Sequence, residues 1–306
     1  MASRPHFFPG YLARAAGALL LLPFILLSAI DPPAAAAREK RQVVYYFPDT
    51  IGEDHTAVAT YFQAWLDVHL SHALGYDLRL SYFNRLQDLQ EFMEGCVSND
   101  DYPLFGILHA QVMLDFYKEW KIDILGIPVS KQGKTTQRIS VVVRKDSDIK
   151  TLEDMRGRSL VAPVYWGRDV TTFEERVLAG KVRFSQLSRV SLAPSSISAL
   201  MGLVYRQDEV ALVSHRVIDV MRERVAPVWR GTRVIHQSEP IPIGGVATFP
   251  GLSRRDREII IERGLVMHET AEGKKWFDYT GLLRYELGGW RDLFSQEDLA
   301  VAGVNR

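Results

Sequence analysis

Five short runs place hydroxyl, amide, imidazole or guanidinium groups just after an apolar, strand-like segment and just before a helix-like one. They are Phe47-Pro48-Asp49-Thr50, Leu108-His109-Ala110-Gln111, Tyr165-Trp166-Gly167-Arg168-Asp169 with Thr171 and Thr172, Pro194-Ser195-Ser196, and Ser214-His215. A helix opening leaves backbone N–H groups unpaired and carries the positive end of the helix dipole, which suits a small anion. The hydroxyls of Thr171, Thr172, Ser195 and Ser196 add donors, and Arg168 can offer a planar fork to an oxyanion. The same residue types have blander uses. Ser195, Ser196 and Thr172 are good helix caps, His109 and His215 fit as ordinary loop histidines, and Tyr165 and Trp166 fit as aromatics covering a surface. What groups them as ligand candidates, with Phe47, Asp49, Thr50, Gln111 and Ser214, is convergence. Open α/β sheets bind ligands beyond the carboxyl ends of their strands, where all five runs fall.

The elements that must hold these runs follow from periodicity. Residues 42–47 read as an apolar strand, and a helix from about Thr56 carries Ala57, Phe62, Trp65, Leu66, His69 and Leu70 at helical spacing until Gly75. A strand over 76–82, a short helix over 86–93, a turn at Gly95, a strand over 104–108, a helix over 109–120 and a strand over 122–129 come next. The polar, glycine-containing residues 130–136 read as a first crossing between lobes, a hinge candidate.

Residues 139–143 are β-branched and apolar on both faces, which predicts a buried parallel strand. Asp148 or Thr151 is then expected to cap a short helix with Glu153 and Asp154 in its first turn, and Gly157 to end it. With a second strand over 159–164 this predicts a βαβ unit. Helices around 171–178, over 196–205 and over 215–223 surround a segment near 189–192 and a strand over 210–213. Residues 234–237, with SEPIPIGGVATFP, read as the return, stiffened by Pro240 and Pro242. Helices near 254–267 and around 271–279, and an aromatic stretch through Trp290 and Phe294, are expected to pack on the first lobe. The expectation is α/β in two lobes: 38–135, then 136–235, then a return and C-terminal helices over 236–306.

The chain has 306 residues, 47% hydrophobic and 24% charged, with no net charge, enough for two modest cores and no reason to expect nucleic acid or a polybasic membrane contact. Arg4 and Arg14 precede an apolar segment over 15–30 and then DPPAAAA, the pattern of a secretory signal peptide over 1–37. The apolar run is shorter than the ~20 residues that span a bilayer comfortably, and Pro23 interrupts it. No cysteine ends the signal, so a lipoprotein is not expected; the mature chain is free in a periplasm or tethered by an unremoved signal, the free form being the expectation, and a monomer is expected. No G-x-S-x-G elbow, H-E-x-x-H or metal-spaced cysteine cluster occurs, so neither an enzyme nor a cofactor is expected.

The run VVVRKDSDIKTLEDMRGRSLVAP resembles a segment of the phosphate/phosphonate-type periplasmic substrate-binding proteins of ABC transporters, through Arg144, Asp146, Ser147, Ile149, Leu152, Asp154 and Gly157. The resemblance extends more loosely over residues 43–283. It implies the two-lobed type II periplasmic-binding-protein fold, a ligand cleft between the lobes, a phosphate-, phosphite- or phosphonate-like ligand, and a membrane permease as partner. One departure stands out: where phosphonate binders carry a run rich in serine, threonine and glycine, this chain has Val164-Tyr165-Trp166-Gly167-Arg168. An aromatic and an arginine there imply another oxyanion or a different small polar ligand. The single cysteine, Cys96, rules out an intrachain disulfide. It reads as a buried inert thiol. Alternatively, because some regulatory relatives sense arsenite through a cysteine, it is a metalloid ligand in a sensor that signals to a membrane histidine kinase.

Overall fold

The computed structural model describes residues 38–47, 55–163, 170–224 and 226–304. From the N-terminus, β1 (Lys40–Tyr46) leads to α1 (His55–Trp65), which continues through a π-helical turn (Leu66–Ser71) into α2 (His72–Leu74). Gly75 ends that helix in the left-handed conformation, φ 82°. There follow β2 (Asp77–Phe83), α3 (Leu86–Asn99), β3 (Phe105–His109), α4 (Ala110–Phe116), β4 (Asp123–Ser130), β5 (Thr136–Gln137), β6 (Ile139–Arg144) and β7 (Ser159–Pro163). The second half holds α5 (Val170–Val177), β8 (Arg189–Ala193), α6 (Ser196–Val204), β9 (Val210–Ser214), α7 (His215–Arg224), α8 (Ala226–Arg230) and β10 (Thr232–Gln237). The chain closes with β11 (Ile241–Pro242), β12 (Gly244–Thr248), α9 (Arg254–Leu265), α10 (Ala271–Thr280), β13 (Leu282–Leu287), α11 (Trp290–Leu293) and α12 (Gln296–Ala302).

Two mixed sheets result, and they share one plan. The first has the order β2-β1-β3-β12-β4-β13 and the second β8-β7-β9-β6-β10. In each, three parallel strands are followed by an antiparallel intruder, β12 or β6, and then by β4 and β13 in the first sheet and β10 in the second. Each intruder is the strand that enters its sheet directly from the other one. The passages themselves pair, β5 antiparallel to β11. Beside them Ser238 N–H donates to the Ile139 carbonyl at 2.8 Å and its Oγ accepts from Ile139 N–H at 2.9 Å.

Both sheets are covered on both faces, as strand alternation requires. In β1, Val44 and Tyr46 face a core with Phe116, Trp120, Trp290 and Phe294, while Val43, Tyr45 and Phe47 face one with Phe62, Trp65 and Trp276. In β6, Ile139, Val141 and Val143 face Phe173 and Val177 of α5, and Val142 faces α6 and α7.

Several expectations are corrected. Residues 139–143 form a buried strand, but one antiparallel to both neighbours, β9 and β10. No βαβ unit joins it to β7, because β9 lies between them. The expected crossover helix is one 3-10 turn, Glu153–Met155, whose N-cap position, Leu152, makes no side-chain cap. Neither Asp148 nor Thr151 caps it, and Asp154 Oδ2 accepts from the N–H groups of Lys150 and Thr151 ahead of it at 2.9 Å each. Gly95 does not turn the chain; α3 runs through it to a left-handed Asp100, φ 53°. β12 and β13 were not anticipated. The proposed signal peptide lies outside the described residues, among which no helix is long and apolar enough to cross a membrane.

Candidate functional site

The carboxyl ends of β1, β3, β8 and β9 bring together Phe47, His109, Ser195, Ser196, Ser214 and His215. On the first sheet, His109 caps α4, its Nδ1 accepting the Gln111 N–H at 3.4 Å. That bond places the proton of the neutral ring on Nε2. His109 is buried, and burial together with the positive charge of Arg216 pushes its pKa down to about 3. The Phe47 ring centre lies 6.3 Å from the imidazole. Gln111 turns along its own helix, donating to Asp115 Oδ1 at 2.8 Å.

On the second sheet the serines are buried, and Ser195 and Ser196 serve the backbone. Ser195 Oγ accepts from Ser198 N–H at 3.2 Å, the cap of α6, and Ser196 Oγ accepts from Ser214 N–H at 3.0 Å. Ser214 Oγ donates to Gln137 Oε1 at 3.0 Å. His215 N–H donates to the Arg138 carbonyl, and its Nδ1 lies 3.3 Å from Gln237 Nε2. Thr171 is exposed in α5. Asp49, Thr50, Tyr165, Trp166 and Arg168 lie outside the described residues, as does the side chain of Thr172.

Two residues that the sequence reading passed over join the cluster. Arg216, in the first turn of α7, is 5% exposed. Its Nε donates to Gln137 Oε1 at 3.2 Å, its Nη1 to the Thr280 carbonyl at 2.8 Å, and its guanidinium lies 5.4 Å from the Phe47 ring centre. It therefore ties a helix of the second sheet to α10 and β1 of the first. A cation in the first turn opposes the helix dipole. The signal that could have found it is its place beside Ser214 and His215; for Gln137, its place in the crossing.

The helices that open at these strand ends share one feature. None of α1, α4, α5, α6 and α7, which follow β1, β3, β7, β8 and β9, carries an acidic residue in its first turn. By contrast α9, α10, α11 and α12 each carry at least one, as does α3 after the edge strand β2.

This arrangement can be set against known proteins. Residues 51–288 match the family described as the periplasmic substrate-binding protein of phosphonate ABC transporters. The chain belongs to this family. It is thus a periplasmic substrate-binding protein of the phosphonate type, and its family captures solutes for membrane transport without transforming them. Solved structures share the fold at low identity. The binding protein of an ABC phosphonate transporter from Pseudomonas aeruginosa is 14% identical, with a TM-score of 0.66 over 88% of this chain and 90% of its own. PhnD1 from Prochlorococcus marinus, solved with methylphosphonate, is 10% identical, with a TM-score of 0.68 over 87% and 98%. A Xanthomonas citri protein bound to ATP is 12% identical, with a TM-score of 0.65 over 87% and 97%. They establish the type II periplasmic-binding architecture. No curated protein matches the sequence.

In this phosphonate-type protein Cys96 sits in the last turn of α3, its carbonyl accepting the Asp100 and Asp101 N–H groups. The helix runs back from the end of β2, so Cys96 lies at the opposite end of the sheet from His109. Burial, then the charge of Asp101, pushes the thiol pKa up and disfavours the thiolate. Among the described residues no group of three His, Cys, Asp or Glu side chains could hold a metal ion.

Proposed function

We propose that the protein captures a small oxyanion, of the phosphate, phosphite or phosphonate kind, between two lobes over residues 38–135 with 236–306 and over 136–235, and delivers it to the permease of an ABC transporter. One observation carries the reading: a buried guanidinium, Arg216, opens a helix whose first turn holds no acid, where the strand ends of both sheets meet. Helix dipole and fixed charge both raise the potential there, and an anion relieves both. Neutral His109 contributes an N–H without a second charge. The loops carrying Asp49, Thr50, Tyr165, Trp166 and Arg168 are proposed as the remaining walls, with Trp166 and Arg168 setting which oxyanion fits. The far placement of Cys96 and its raised pKa support its reading as an inert thiol.

The test is a thermal-shift screen of the mature protein with phosphate, phosphite, methylphosphonate and sulfate, with a neutral sugar as control. A ligand that binds only the folded state raises the melting temperature with concentration by mass action. A shift with at least one anion and none with the sugar is expected. Absence of a shift with every anion overturns the proposal.

A further inference from the structure

Gln137 lies in β5, on the first passage between the sheets, and is 4% exposed. The orientation of its amide follows from its neighbours. Arg216 Nε can only donate, so the Gln137 atom 3.2 Å from it is the oxygen. Ser214 Oγ donates to the same oxygen at 3.0 Å. The amide nitrogen therefore points elsewhere, and it meets no acceptor among the described residues. Other buried polar atoms among the described residues lack a partner too, most of them single hydroxyl or ring N–H groups within the cores. Gln137 is the one side-chain amide among them and lies where the two sheets join, a place an acceptor from outside the chain can fill. Its surroundings define that acceptor's chemistry. Arg216 is a permanent cation, Ser214 a hydroxyl, and no carboxylate bonds to Gln137. An oxygen carrying negative charge fits this setting.

We propose that Gln137 is a ligand contact, its amide nitrogen donating to an oxygen of the captured oxyanion. This rests on the oxyanion reading above. Because the donor sits in β5, the strand by which the chain enters the second lobe, ligand held there also fixes the paired strands that join the two sheets. Capture and hinge position become one event.

Gln137→Glu keeps the shape, leaves an oxygen toward Arg216 and exchanges the donors for a negatively charged acceptor. Phosphate, phosphite and methylphosphonate are titrated calorimetrically into wild type and Q137E, and the melting temperature of each is taken without anion. We expect at least a tenfold loss of affinity for the anion wild type binds best, with the melting temperature held or raised by the new pair with Arg216. Gln137→Met, which lacks both ends, should lose affinity severalfold and serves if Q137E does not fold. In isotope-labelled wild type, the side-chain amide resonances missing from Q137M should move on anion addition further than those of the other glutamines. Unchanged affinity in the variants, or unmoved resonances, overturns the contact while leaving the oxyanion reading standing. Wild type that binds none of the three anions overturns that reading and this proposal with it.

Discussion

At the scale of single residues, charge placement decides more than residue type. Arg216 is held against the dipole of its own helix by the Thr280 carbonyl and Gln137, with the Phe47 ring beside it. Arg216→Ala should weaken oxyanion binding by about 1.5–3 kcal/mol, the worth of a charge-assisted hydrogen bond, as read by calorimetry. Undiminished affinity would remove Arg216 from the site. His109 gives a pH prediction. Its folded pKa, about 3, lies below the ordinary 6.5, so between these values the unfolded chain binds the proton and the folded chain does not. Stability is then complete above about pH 6.5 and falls as the pH drops toward 3, by up to about 1.4 kcal/mol per pH unit. His109→Asn keeps a capping side chain and removes the titration. Urea midpoints between pH 6 and pH 4 should fall less steeply for the variant, and parallel slopes would contradict the assignment. His109, Phe47 and Ser214 were legible in the sequence because they end strands. Arg216 and Gln137 were not, because their partners come from Thr280 and from a two-residue passage, contacts that periodicity does not encode.

At the scale of elements, the sequence disclosed burial better than direction. The run Ile139 to Arg144 is apolar on both faces because helices cover both sides of its sheet, and parallel and antiparallel strands look alike under such cover. Its direction is set by entry from the other sheet, and its neighbours β9 and β10 come from some 70 to 100 residues further along. Two glycines show the same limit locally. Gly157 adopts φ 73°, as its place after a helix-like run suggested, whereas Gly95 is an ordinary helical residue whose added Cβ would meet nothing within 4 Å. Gly95→Ala should therefore stabilise the protein by up to about 1 kcal/mol, and Gly157→Ala should destabilise it by about 1 kcal/mol or more. Denaturant unfolding of the two variants checks both signs. A destabilised Gly95→Ala would mean that α3 is broken at that residue.

At the scale of the molecule, two sheets of one plan are joined by a ribbon of only two residues per strand, which resists little rotation by itself. Two further links join the cores. One is Arg216, reaching from α7 to the Thr280 carbonyl at the end of α10. The other is the ion pair between Arg176 of α5, whose helix packs on the second sheet, and Asp298 of α12, whose helix packs on the first. Arg176 is partly exposed and Asp298 buried, so the pair is worth about 0.5–1 kcal/mol after solvent screening. Arg216 takes part in the proposed capture, whereas Arg176 links α5 to α12 on the other faces of the two sheets and can be removed without touching Gln137 or Ser214. Arg176→Gln should raise the radius of gyration of the anion-free protein in small-angle scattering. It should also weaken the anion by two- to fivefold, mostly through faster dissociation, because the variant loses a link between the sheets. Saturating anion should bring its scattering back to that of wild type. Identical scattering and identical dissociation in the variant and wild type would show that the pair does not hold the sheets together, and would leave Arg216 and the passage strands to set their angle.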